Sequence, residues 1–168
     1  MQTHEHSHDF FMDAALEQAE CALAGQEVPI GAVIVSPEGK IIGKGYNRVE
    51  KDECQINHAE ILAIQEASKA LGSWRLEGCW LYVTLEPCLM CLGAICLSRL
   101  DGVAFGAPSP EFGAFQMLSA ERSPVYFKRL MVLRGLKENE CVDMLKLFFK
   151  KARGKEYCES TSSLSRKD

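Results

Sequence analysis

A histidine at position 58 and two cysteines at positions 88 and 91 are separated by 30 residues (88 − 58), and few folds bring such distant side chains to one point. They sit in two short motifs, His58-Ala59-Glu60 and Pro87-Cys88-Leu89-Met90-Cys91. Imidazole and thiolate are ligands that suit zinc, and three protein ligands leave the fourth tetrahedral position open, as in catalytic rather than structural sites. Cys88 and Cys91, three apart on the first turn of a helix, share one face, and the positive helix end favours thiolate. The intervening stretch holds one helix, a turn and a strand, so His58 meets the pair only through the fold. Glu60, two residues from His58, approaches the metal without ligating it.

Other readings of the same residues stand beside this one. A Cys-x-x-Cys pair alone also serves as a redox couple or as half of a structural zinc site. A structural site needs a fourth ligand, and neither Cys96, in an apolar helix, nor Cys79, opening a strand, has finger-like spacing; Cys54 is the other candidate. Asn57 and Glu60 have the Asn-x-x-Glu spacing of a helix-capping pair, a role compatible with chemistry at Glu60.

Hydrophobic periodicity gives an alternation of helices and strands. A helix is expected over Phe10 to Ala24, strands over Pro29 to Ser36 and Ile41 to Asn47 joined by the hairpin turn Pro37-Glu38-Gly39-Lys40, and a helix from Asn57 to Leu71 ended by Gly72. A third strand follows over Cys79 to Leu85, then a helix over Cys88 to Ser98 and a strand over Gly102 to Gly106. Ala107 to Val125, with Pro108, Pro110, Gly113 and Pro124, reads as a loop with at most a brief helix. Met131 to Gly135 is a fifth strand, and Glu138 to about Arg153 an amphipathic helix with Cys141, Met144, Leu145 and Phe148 on one side. The expected architecture is a three-layer α/β/α sandwich around a five-stranded mixed sheet. Both ligand-bearing helices begin just after strands, where α/β folds place their ligand sites.

At 168 residues the chain suits one domain over 10–155, between a polar His-containing tail (1–9) and a flexible C-terminal tail (156–168). His4, His6 and His8 alternate in the first tail and read as a disordered start, with stray metal binding as the alternative. No run of about 18 apolar residues suggests a membrane span, and Met1 to Asp9 lacks a secretory signal. The eight cysteines are therefore expected in a reducing cytoplasm, with Cys21, Cys96 and Cys141 as small buried side chains.

Charge is strongly uneven. Residues 1–121 carry 7 basic and 17 acidic side chains (−10), residues 122–155 carry 10 and 3 (+7), and the last thirteen sum to −1, for a net −4. A basic face built by the C-terminal third suits a phosphate backbone, whereas a solvated helix surface is the plainer explanation.

These blocks together resemble the bacterial-type tRNA-specific adenosine deaminases of the cytidine deaminase-like superfamily. The resemblance covers roughly Phe11 to Arg153 and is carried by Pro29-Ile30-Gly31-Ala32-Val33, Asn47-Arg48, His58-Ala59-Glu60-Ile61, Leu81-Tyr82-Val83-Thr84-Leu85-Glu86-Pro87-Cys88, Phe105-Gly106-Ala107 and Phe148-Phe149-Lys150-Lys151-Ala152-Arg153. It implies a cytidine deaminase-like fold and hydrolytic conversion of adenosine to inosine at the wobble position of a tRNA anticodon, by a homodimer with one zinc per subunit. It further implies that His58, Cys88 and Cys91 hold the zinc, and that Glu60 shuttles protons as both base and acid. By the same resemblance Asn47 bonds the base, the Ala59 backbone meets its polar edge, Ile30 and Phe149 line the pocket, and Lys150, Lys151 and Arg153 meet RNA. A turn residue ending its strand is the alternative for Asn47. Leu89, Met90, Leu92 and Ile95 are candidate apolar surface for the dimer.

The chain departs from the family's pattern twice. Cys54-Gln55-Ile56-Asn57 stands where Asp-Pro-Thr-Ala is usual, and Ser109 and Glu111, flanked by Pro108 and Pro110, stand where an Asp and then a Lys are common. Two other functions compete: a deaminase of a free base or nucleoside, of guanine, cytosine or pterin type, and a zinc-stabilised RNA-binding module without catalysis.

Overall fold

The computed structural model describes residues 7–117 and 129–164. Its elements run α1 (His8–Ala24), β1 (Gly31–Val35), β2 (Ile41–Tyr46), α2 (Ala59–Leu71), β3 (Trp80–Leu85), α3 (Leu89–Leu97), β4 (Gly102–Ala107), α4 (Ala114–Met117), β5 (Met131–Arg134) and α5 (Glu138–Leu164). The strands form one sheet in the order β2-β1-β3-β4-β5. β1 is antiparallel to both β2 and β3, while β3, β4 and β5 are mutually parallel neighbours, so the sheet is mixed as expected.

Strand alternation sorts the core into two layers. Ala32, Ile34, Leu81, Val83, Val103 and Phe105 pack with Ala63, Ala67 and Ile95 of α2 and α3. Val33, Val35, Tyr82 and Ala104 point the other way, against Phe11, Met12 and Ala15 of α1 and Cys141 of α5. A sheet buried on both faces explains why β1 and β4 read as unbroken apolar runs rather than alternating ones.

One close contact positions the site. Gly45 of β2 lies so close to α2 that an added Cβ would stand 2.2 Å from the Ala59 carbonyl oxygen, so the helix start rests directly on the strand backbone. Gly72 ends the same helix in the left-handed conformation, φ 62°, which glycine adopts without penalty.

Several expectations are corrected. His8, assigned to a disordered tail, is the first residue of α1: the Ser7 hydroxyl accepts from the Phe10 N–H, and His8 Nδ1 lies 2.8 Å from the Tyr82 hydroxyl. His4 and His6 lie outside the described residues. α5 continues to Leu164, beyond the end expected near Arg153, because 154–164 contains no proline to interrupt the hydrogen-bond ladder. Residues 165–168 of the expected tail lie outside the described residues. So do 118–128 of the expected loop, whose described part carries the short α4. Cys21 is exposed and Cys96 half-buried, since the core side of α1 runs through Phe11, Met12, Ala15, Ala19 and Ala22; Cys141 is buried. Leu92 and Ile95 belong to the core, and the exposed apolar side chains of α3 are Leu89, Met90 and Leu97.

Candidate metal centre and its cavity

His58 and Cys88 occupy equivalent places, each the N-cap residue of a helix that begins where the chain leaves the sheet or its adjoining loop. Both have extended backbone, φ −72° and ψ 154° for His58 and φ −74° and ψ 172° for Cys88. His58 makes no side-chain cap, which leaves its ring for other work. The expected Asn57–Glu60 capping pair does not form. The helix starts one residue later than expected, and the Asn57 amide donates instead to Asp52 Oδ2 at 2.8 Å.

His58 Nδ1 stands 3.7 Å from Cys88 Sγ and 3.5 Å from Cys91 Sγ, and the three ligand atoms all lie within 4.8 Å of one another. Zinc bonds of about 2.1 Å to nitrogen and about 2.3 Å to sulfur, at the tetrahedral angle, separate the two ligand atoms by roughly 3.6 Å. The donor set and its spacing therefore fit a zinc ion. Among the described residues this is the one His/Cys/Asp/Glu group with metal-holding geometry.

The electrostatics are those of a site built around a cation. Hydrogen bonding from the Cys91 thiol, then from His58, pulls the Cys88 thiol down to about 4, against the effect of burial. The Cys91 thiol is pushed up by Cys88 and by burial. His58 is raised, chiefly by its bond to Cys88, with Glu60 adding to it. Glu60, 4% exposed, sits beside the Cys91 thiol, and burial raises its carboxyl above the usual range.

A cavity of about 540 Å³ opens on this cluster, a size that suits a nucleoside-sized ligand. Ile30, His58, Glu60, Cys88 and Phe149 line it, together with Gln55, Met90, Ser109 and Phe112. Asn47 lies outside the cavity lining, buried at the end of β2, and its amide Nδ2 donates to Glu27 Oε2 at 3.2 Å. Ala59 is buried at the first helical position, where backbone N–H groups have no intrahelical acceptor. Lys150, Lys151 and Arg153 are exposed on α5, the helix that sends Phe149 into the cavity wall.

Two carboxylates were missed in the sequence. Glu27, 1% exposed, also accepts from the Glu50 N–H at 3.3 Å and the Lys51 N–H at 2.7 Å, so it anchors the loop that leads to His58. Glu86, buried and on the cavity wall, accepts from the Ser109 N–H at 3.0 Å and the Phe115 N–H at 3.2 Å. The signal available was an acidic residue at the margin of an apolar run, which is costly to bury without several donors.

Residues 5–107 match the family model described as the cytidine and deoxycytidylate deaminase zinc-binding region. The chain is 46% identical over 151 residues to the tRNA-specific adenosine deaminase of Bacillus subtilis, covering 88% of this chain and 91% of that protein. A solved structure from work on A-to-I editing by tRNA:A34 deaminases superposes with a TM-score of 0.72 at 40% identity, covering 81% of this chain and 99% of that one. A guanine deaminase structure from Bacillus subtilis superposes with a TM-score of 0.61 at 36% identity, covering 71% and 79%.

Proposed function

This chain belongs to the tRNA-specific adenosine deaminases, within the cytidine and deoxycytidylate deaminase zinc-binding family, and on that premise we propose that it converts adenosine to inosine at the wobble position of a tRNA anticodon. The observation that carries the proposal is that buried Glu60 lines one solvent-connected cavity together with His58 and Cys88, which cluster with Cys91.

His58, Cys88 and Cys91 would hold one zinc per subunit, and the ion supplies the Lewis acidity that makes water a nucleophile near neutral pH. Glu60 would take one proton from the water that attacks C6 and pass it to the adjacent ring nitrogen, then carry the second proton of that water, from the new hydroxyl at C6, to the departing amino group, so that adenosine and water become inosine and ammonia. Burial raises its carboxyl above the usual range, the direction that favours taking up a proton. Asn47, its amide fixed by Glu27, would bond the extruded base; the Ala59 N–H would meet its polar edge, and Ile30 and Phe149 would pack on its faces. Lys150, Lys151 and Arg153 would neutralise phosphates of the anticodon arm.

The exposed Leu89, Met90 and Leu97 on α3 support a homodimer through that face. No helix among the described residues is long and apolar enough to cross a membrane, which is compatible with work on tRNA in the cytoplasm.

Incubation of the zinc-loaded protein with an anticodon stem-loop bearing adenosine at the wobble position tests the reading. Inosine is expected in the nucleoside digest, with free adenosine and free guanine left unchanged. Turnover of free guanine with no inosine in the RNA would overturn it in favour of a small-molecule deaminase, the class of the 36%-identical neighbour.

A further inference from the structure

We infer that Phe112 is a stacking platform for an RNA base adjacent to the deaminated adenosine, an inference that rests on the RNA reading of the cavity above. A nucleotide inside a strand cannot enter the cavity alone. Its two neighbours must leave across the rim, and what stands on the rim decides how they are held. Phe112 lies in the cavity wall with His58, Glu60 and Cys88, yet its side chain is 68% exposed. Phe149, from a different element, is on the same wall and 47% exposed. Large apolar rings kept in water at the mouth of a site for a nucleobase offer a π-face, and every base can stack on one.

The segment that carries Phe112 is pinned on both sides. Before it, the Ser109 N–H donates to Glu86 Oε2; after it, the Phe115 N–H donates to Glu86 Oε1. The Gly113 N–H donates to the Ser109 carbonyl at 2.8 Å, and the Ala114 N–H to the Pro87 carbonyl at 3.0 Å. Gly113 is required there, because an added Cβ would stand 2.4 Å from the Glu86 carboxylate. The backbone under Phe112 is therefore held by Glu86 and Pro87, the two residues that immediately precede the ligand Cys88. A platform held in register with the metal ligand loses little freedom on binding. The same segment contains Ser109 and Glu111, where the chain departs from the pattern of its family.

The test is a cycle of protein and RNA changes with the zinc-loaded protein. Phe112→Ala, Phe112→Leu and Phe112→Trp are each compared with the unaltered protein on an anticodon stem-loop and on two versions carrying an abasic site immediately 5′ or 3′ of the target. Single-turnover inosine formation, RNA affinity and zinc content are read for each. Loss of one stacked base corresponds to a drop between about 5-fold and about 150-fold. That drop is expected for Phe112→Ala on the intact RNA, a lesser one for Phe112→Leu, and near-normal values for Phe112→Trp. On one of the two abasic RNAs the unaltered protein should fall by a similar factor and Phe112→Ala no further. Phe112→Ala within twofold of the unaltered protein, or an equal drop on all three RNAs, would overturn the inference. Absence of inosine with the unaltered protein would instead count against the deaminase reading, and the affinity cycle would still judge Phe112.

Discussion

The carboxylate of Glu27 and the amide of Asn47 form a buried hydrogen bond of 3.2 Å, and the same carboxylate gathers the backbone N–H groups of Glu50 and Lys51. One side chain thus sets both the orientation of the amide proposed to bond the base and the path of the loop toward His58. Glu27→Gln keeps the volume but turns an amide NH₂ toward groups that are themselves donors. Hydrogen bonds to a charged group contribute about 1.5–3 kcal/mol each, so a rise in KM of about tenfold or more is expected, with zinc content unchanged. Steady-state kinetics beside metal analysis checks this; unchanged KM would show that the Asn47 amide does not need Glu27.

Glu60→Gln should abolish turnover while zinc stays bound. Glu60 stands beside the cluster without belonging to its three ligands, and positioned proton transfer contributes 100-fold or more, in order of magnitude. Zinc per chain and inosine formation are the two readings. Loss of the metal together with activity would mean that the carboxylate is a ligand.

Chelation of the metal should separate the cysteines into two classes. Cys88, on the wall of a solvent-connected cavity and with its thiol held down to about 4, should alkylate quickly once zinc is gone and slowly while it is present, whereas Cys91, fully buried and with its thiol pushed up, should stay slow. Cys79 and Cys141, whose thiols burial pushes up to about 11 from an ordinary 9.0, should stay slow in both states. For these two the folded chain holds the proton more tightly than the unfolded one. Their contribution to stability is complete below the unfolded value and is lost as pH rises through about 11. The urea midpoint should therefore decline over that window, less steeply in Cys79→Ala/Cys141→Ala.

Neutralising Lys150, Lys151 and Arg153 together should weaken binding of the stem-loop and lower the slope of log affinity against log salt by about 2 to 3, near one per phosphate contact. All three are exposed on α5, and among the described residues none of them forms an ion pair. An unchanged slope would return this helix to an ordinary solvated surface.

Element types and order were legible because their signals are local. The period of α1, the apolar runs of β1 and β4 and the stop at Gly72 each depend on a few neighbouring residues. The convergence of His58, Cys88 and Cys91 was legible for a different reason: the Cys-x-x-Cys pair and the distant His58 both fall where helices begin after the sheet or its loop. The burial of Glu27 and Glu86 was not, since each is stabilised by backbone donors from segments about 20 to 30 residues away in the chain. His8 was misjudged on the same account, because its partner Tyr82 lies 74 residues on. The capping role of Asn57 failed because Asp52, in the same loop, claims its amide first. Fractional exposure along α3, which moved Leu92 and Ile95 into the core, depends on how the helix is rolled on the sheet, and spacing alone leaves that undetermined.

The seating of α2 against Gly45 has an evolutionary corollary. Any side chain larger than hydrogen at position 45 would lever the helix start, and with it the metal-binding cluster at its tip, away from the sheet. Change toward new targets is thereby directed away from the scaffold and toward the stretches 54–57 and 108–112, where this chain departs from its family's pattern and where Gln55, Ser109 and Phe112 border the cavity.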